Sequence, residues 1–208
     1  MTLPSLENPF FGEGNVSQAI REFSAKPGHL YFTSAGNFAN NAYASQFNSS
    51  ASAPDTYFIP NGSPARAHVF GTGTDGSPDL TQRISVEPGT YFIALQWDES
   101  LASQENSSGA TTDLDIYLVD DEGRMIVGNN RINDLGDPTE FMVFMATEAS
   151  EANVMIVSNN GPPPPGLAFR YIAFRSEGLE FLEYDKAPTV SGHAMTPEAI
   201  AVGAVDYR

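Results

Sequence analysis

The sequence predicts a mainly β protein: an antiparallel β-sandwich or jelly roll set between two pieces of an α/β unit. Three observations predict it. From about residue 67 to 183, short apolar runs recur between turn residues, with almost no helical periodicity. Near the N-terminus a helical pattern runs directly into an apolar run, which is half of an α/β unit and calls for a parallel partner strand. The partner appears only at the other end of the chain, as Ala199–Val205. The implied division is 1–40 and 186–208 for the α/β pieces and 41–185 for the sandwich.

The elements follow in order. Pro4, Asn8-Pro9 and Phe10-Phe11-Gly12 read as an irregular lead-in. Asn15 is a candidate cap for a short helix. Val16, Ala19, Ile20 and Phe23 then fall on one helical face, and Lys26-Pro27-Gly28 stops it. Leu30–Thr33 is the first strand, ending in Ser34-Ala-Gly-Asn37. Residues 38–66 are rich in Ala, Ser, Asn and Pro and read as a connector, with at most a short strand at Tyr57–Ile59. Strands are predicted at Ala67–Phe70, Leu80–Val86, Thr90–Trp97, Asp113–Val119, Met125–Val127, Thr139–Met145, Asn153–Val157, Ala168–Phe174 and Leu179–Glu183. Tyr91, Ile93, Leu95 and Trp97 share one face, as do Leu114, Ile116 and Leu118. Trp97, the only tryptophan, is assigned to the core with its N–H satisfied.

Bulk properties exclude several functions. A net charge of −16 with only 10 Lys+Arg leaves nothing to neutralise phosphates, so neither nucleic acid nor an anionic membrane surface is an expected partner. The plain meaning of the acidity is solubility; a sharper one is a requirement for a cation. The absence of cysteine excludes disulfides, zinc–thiolate sites and thiol nucleophiles. No apolar run approaches the length of a membrane span. The N-terminus lacks a basic n-region, so it does not read as a signal peptide.

Two stretches carry a family resemblance. The helix, strand and Ser34-Ala-Gly-Asn37 turn resemble the segment of subtilisin-like serine proteases that ends in the oxyanion-hole asparagine. Thr189–Tyr207, with Ala199-Ile-Ala-Val-Gly-Ala-Val205, is similar to the next core strand of that family. The intervening region, through Leu95-Gln-Trp-Asp-Glu99, Thr112-Asp-Leu-Asp-Ile-Tyr-Leu118 and Gly136-Asp-Pro-Thr-Glu140, resembles the pre-peptidase C-terminal-type β-sandwich of secreted bacterial proteases. The family's Asp-x-Gly, His-Gly-Thr and Gly-Thr-Ser catalytic motifs are absent here. The resemblance places this stretch after the family's Asp and His and before its Ser, so the chain by itself is not expected to cleave peptides.

The resemblance implies a role for four residues. Asn37 would donate its side-chain N–H to the oxyanion of the tetrahedral intermediate. Ser34, Ala35 and Gly36 would line the primary specificity pocket for a protein or peptide substrate. It also implies an extracellular, secreted location. On local chemistry alone, Asn37 makes an Asx-type turn and its three neighbours a tightly packed strand end. Asp113 and Asp115 share one face of a strand, and like charges so placed need either solvent or a cation such as calcium. A solvated face is the plainer expectation there, with no cofactor. Outside the protease class, the sandwich could be a non-catalytic binding module for an extracellular carbohydrate or protein. The aromatic residues count against that, because most fall at core positions.

Overall fold

The computed structural model describes residues 10–11, 14–36, 41–104, 107–174, 177–184 and 187–204. Helix α1 (Asn15–Ser24) leads into β1 (Tyr31–Ser34). Twelve strands follow: β2 (Ala42–Gln46), β3 (Arg66–Ala67), β4 (Gly71–Thr72), β5 (Pro78–Asp79), β6 (Gln82–Val86), β7 (Gly89–Trp97), β8 (Leu114–Val119), β9 (Met125–Asn129), β10 (Thr139–Ala146), β11 (Ser150–Ser158), β12 (Ala168–Phe174) and β13 (Leu179–Phe181). A 3-10 turn (Gly192–Met195) then leads into β14 (Ala199–Val202).

Two antiparallel sheets make the sandwich. One has the order β10-β7-β12-β2 and the other β13-β6-β11-β8-β9, with β3 paired to the end of β11 beyond β6. Their inner faces meet in a core drawn from alternate residues of each strand. Tyr91, Ile93, Leu95, Trp97, Phe169 and Tyr171 project from the first sheet, and Ile84, Leu114, Ile116, Leu118, Val154 and Ile156 from the second. The predicted alternation of β7 and β8 therefore holds.

Both outer faces are covered as well. Phe58, Ile59 and Ala65 from the 47–65 connector pack over Tyr117, Val119, Met155 and Val157 of the second sheet. Phe10, Phe11 and Ala187 pack over Ala94, Ile172 and Phe174 of the first. For this reason β8 is buried along its whole length rather than on one face.

Local expectations fail in three places. The connector contains a full strand, β2, where none was predicted, and Tyr57–Ile59 is a bend rather than a strand. Ala42–Gln46 alternates weakly, and its pairing with β12 makes it a strand. Asn15 does not cap α1; Gly14 occupies the cap position without a side-chain hydrogen bond. The predicted apolar face of α1 is mostly uncovered. Ile20 is buried, but Ala19 and Phe23 are exposed.

One glycine is set by backbone crowding. Gly109 has φ +77°, and an added Cβ would lie 2.5 Å from the Leu135 carbonyl oxygen. The two segments are zipped together there by Ala110 N–H to Gly136 O at 2.8 Å and Leu135 N–H to Ala110 O at 2.8 Å. Gly109→Ala is expected to lower stability by at least about 1–2 kcal/mol, from left-handed strain alone. Chemical denaturation checks this, and an unchanged midpoint would show that the two loops separate freely.

Candidate functional site

The residues assigned to substrate contact sit at the C-terminal end of a parallel strand. β1 and β14 pair in parallel, with Tyr31 opposite Ala199 and Ser34 opposite Val202. Ala35 N–H extends the ladder to Val202 O at 3.0 Å. Gly36 then turns the chain away at φ +91°, a backbone region natural to glycine. Ser34 and Gly36 are exposed and Ala35 is half-buried. Asn37 lies outside the described residues. The carboxyl end of a parallel strand is where ligands bind in open α/β sheets.

Side-chain contacts tie the two terminal segments together. Thr196 Oγ1 donates to Ser17 Oγ at 3.0 Å, and Arg21 Nε meets Glu198 Oε1 at 3.2 Å. Arg170, on the outer face of β12, links them to the sandwich. Its Nη2 donates to Val190 O at 3.1 Å, its Nη1 approaches Met195 Sδ at 3.7 Å, and its guanidinium lies over the Phe10 ring. Burial lowers the Arg170 pKa.

The three histidines have separate surroundings. His29 stacks on Phe23, and His193 is exposed in the 3-10 turn. His68 is in the sandwich core among Tyr43, Phe47, Phe70 and Phe169. Asn48 N–H donates to its Nδ1 at 3.1 Å, and its Nε2 stands 3.1 Å from Tyr43 Oη. Both ring nitrogens are thus engaged. Because Nδ1 accepts, the proton of the neutral ring is on Nε2. Burial pushes its pKa down to about 4.

The structure overturns the solvated-face expectation for Asp113 and Asp115. Asp113 is 8% exposed and Asp115 0%. The connector and the 130–138 loop exclude water that an isolated strand face would have. Asn133 N–H donates to Asp113 Oδ1 at 2.9 Å, Tyr117 Oη to Asp115 Oδ2 at 2.6 Å, and Asn159 Nδ2 to the same Asp115 oxygen. Burial, together with the Asp113 charge, lifts the Asp115 carboxyl to about 7.

A third carboxyl belongs to this group, and sequence reasoning missed it. Glu140 is also 0% exposed and within electrostatic range of both aspartates. Burial raises it to about 8; the Arg131 charge opposes the rise and the aspartates add to it. The available signal was a Glu at the start of an otherwise apolar strand. Glu99, near the aspartates in sequence, has a different task. It accepts the Trp97 Nε1–H at 3.1 Å and both the amide and hydroxyl protons of Thr111 and Thr112. Burial would raise its carboxyl, but the threonine hydrogen bonds outweigh that and hold it below the usual range.

No known protein family matches this chain, and no curated protein sequence matches it. Among the described residues no helix is long and apolar enough to cross a membrane.

Proposed function

We propose that this chain is the stretch of a secreted subtilisin-like serine endopeptidase between its catalytic His and its nucleophilic Ser. It supplies the oxyanion-hole Asn37 and carries a β-sandwich beside the substrate cleft. The observation that supports this is the parallel, in-register pairing of β1 with β14 across residues 35–198. A protein that needed only a sandwich has no use for a parallel pair closed over so long a connection.

Two further features fit the reading. Ser34-Ala35-Gly36 is small and accessible at the strand's carboxyl end, as a specificity pocket requires. Phe32, Ile200 and Val202 are exposed on the two-stranded sheet. Parallel sheets are normally covered on both faces, so the rest of a protease α/β domain accounts for what covers these side chains. In the complete enzyme, the Asn37 amide stabilises the negative oxygen that forms as the serine attacks the scissile carbonyl. The Ser34–Gly36 edge receives the substrate side chain next to that bond.

Asn37→Ala in the full-length gene product tests the proposal. Peptidase turnover is expected to fall roughly 100- to 1,000-fold while substrate affinity changes little. A fluorophosphonate probe is expected to label the full-length product and not this chain. Unchanged turnover sinks the oxyanion role, and a full-length product that neither cleaves peptide nor takes the probe sinks the protease reading.

A further inference from the structure

The chain contains two Asn-Gly pairs, Asn61-Gly62 and Asn160-Gly161. In such a pair a backbone nitrogen easily reaches the preceding side-chain amide, because glycine has no side chain to crowd the approach. Folding puts the two pairs in opposite situations. Asn61 and Gly62 form the exposed corner of a turn that Ser63 N–H closes onto Pro60 O at 3.0 Å. Nothing lies within 4 Å of the position a Cβ would take on Gly62. Among the described residues neither the Asn61 side chain nor the Gly62 N–H has a hydrogen-bond partner. At the other pair, Asn160 Nδ2 donates to Thr111 O at 3.1 Å. Gly161 is buried there, and its carbonyl oxygen accepts the Ser158 hydroxyl proton at 2.7 Å.

We propose that Asn61 is a site of spontaneous deamidation, with water as the co-reactant, and that the product loosens the cover of the second sheet. The Gly62 nitrogen gives up its proton and bonds to Asn61 Cγ. The Cγ–Nδ2 bond breaks, and Nδ2 takes up a proton and leaves as ammonia. Water then opens the cyclic imide at one of its two carbonyls. Opening at Cγ gives aspartate. Opening at the main-chain carbonyl gives isoaspartate, in which the chain runs through Cγ and is longer by one carbon. Either product carries one new carboxylate.

The place of the turn decides the consequence. Ile59 and Ala65 flank it and are buried over Tyr117, Val119, Met155 and Val157. Ser63 Oγ accepts the Ala65 N–H at 3.2 Å and so ties the turn to the covering residues. A longer main chain between Ile59 and Ala65 disturbs the seating of both. Asn160 is held back, because its amide must first release Thr111 O and its glycine must first open to solvent. The site lies in the connector and is independent of the protease reading.

The test is incubation of this full chain, folded and in urea, in warm, mildly alkaline buffer. Tandem mass spectrometry locates the deamidated residues. In the folded chain Asn61 is expected to convert roughly tenfold or more faster than Asn160, the broken hydrogen bond and local opening adding to the barrier at the latter. In urea the two are expected to convert at similar rates. The aged native chain is expected to unfold at a lower urea concentration than the fresh one. The aged Asn61→Gln chain, whose longer side chain closes the ring poorly, is expected to keep its midpoint. Three results overturn the proposal: equal or reversed rates in the folded chain, a rate difference that persists in urea, or an aged native chain with an unchanged midpoint.

Discussion

Trp97→Ala is expected to cost about 3–5 kcal/mol of stability, the largest loss from any single core side chain in this protein. Trp97 is fully buried and heads the fully buried side chains by size. It stands at the C-terminal end of β7, opposite Phe169 on β12, with its indole in the core between the sheets. The cavity left by the indole is bordered by paired strands that cannot collapse into it without giving up ladder hydrogen bonds. The substitution also removes the Nε1–H that Glu99 accepts, at a point where Glu99 pins the Thr111–Thr112 segment. Trp97→Phe keeps most of the apolar volume and is expected to lose clearly less. Urea unfolding followed by far-ultraviolet circular dichroism measures both, since the variants lose the protein's only indole fluorophore. A Trp97→Ala loss below about 1 kcal/mol would mean that the two sheets are not closely packed here.

The second large effect depends on pH. His68 has its folded pKa depressed to about 4 from an ordinary 6.5. The unfolded chain therefore binds a proton there at a pH where the folded chain does not. The stability associated with the neutral ring is fully present above pH 6.5. It declines as pH falls towards 4 and reaches its full loss below that. The span corresponds to roughly 3 kcal/mol. Asp115 and Glu140 act in the opposite sense over an overlapping range, because their raised values make the fold bind protons that the unfolded chain has released. The His68 contribution is therefore read as a difference. The stability of the native chain minus that of His68→Gln is expected to fall by about 3 kcal/mol between pH 7 and pH 4. A difference that stays flat across that range would show the imidazole to be solvated.

Much of this architecture was legible in the sequence because alternation is a direct record of a two-faced sheet. Tyr91, Ile93, Leu95 and Trp97 gave the inner face of β7, and Leu114, Ile116 and Leu118 that of β8. The parallel partner of β1 was also legible, because an α/β half-unit needs one and the region between offers almost no helical periodicity before Ala199. β2 was hidden because Ala42–Gln46 carries one large core side chain, Tyr43, among small and polar residues, and only its neighbour β12 makes it a strand. The buried carboxyls were hidden for a related reason. Asp115 and Glu140 are separated along the chain, and each is buried by tertiary packing that its own strand does not announce. His68 was hidden likewise, since its Ala67–Phe70 neighbourhood gives no sign of the aromatic shell assembled from Tyr43 of β2 and Phe169 of β12.

The sandwich begins and ends at one place. Ala187 N–H donates to Ala42 O at 2.8 Å, and the Asn41 side chain reaches Leu179 O at 3.2 Å. This favours formation of the sandwich before the β1–β14 pair. In an unfolded chain, bringing β1 to β14 means closing a loop over residues 35–198. Once the sandwich has formed, the gap left to close consists only of the short tethers at 35–41 and 187–198. Shortening the closure roughly ninefold removes about 2 kcal/mol of its entropic cost. The sandwich thus acts as a template for its own flanks: once formed, it delivers two strands distant in sequence to each other as near neighbours.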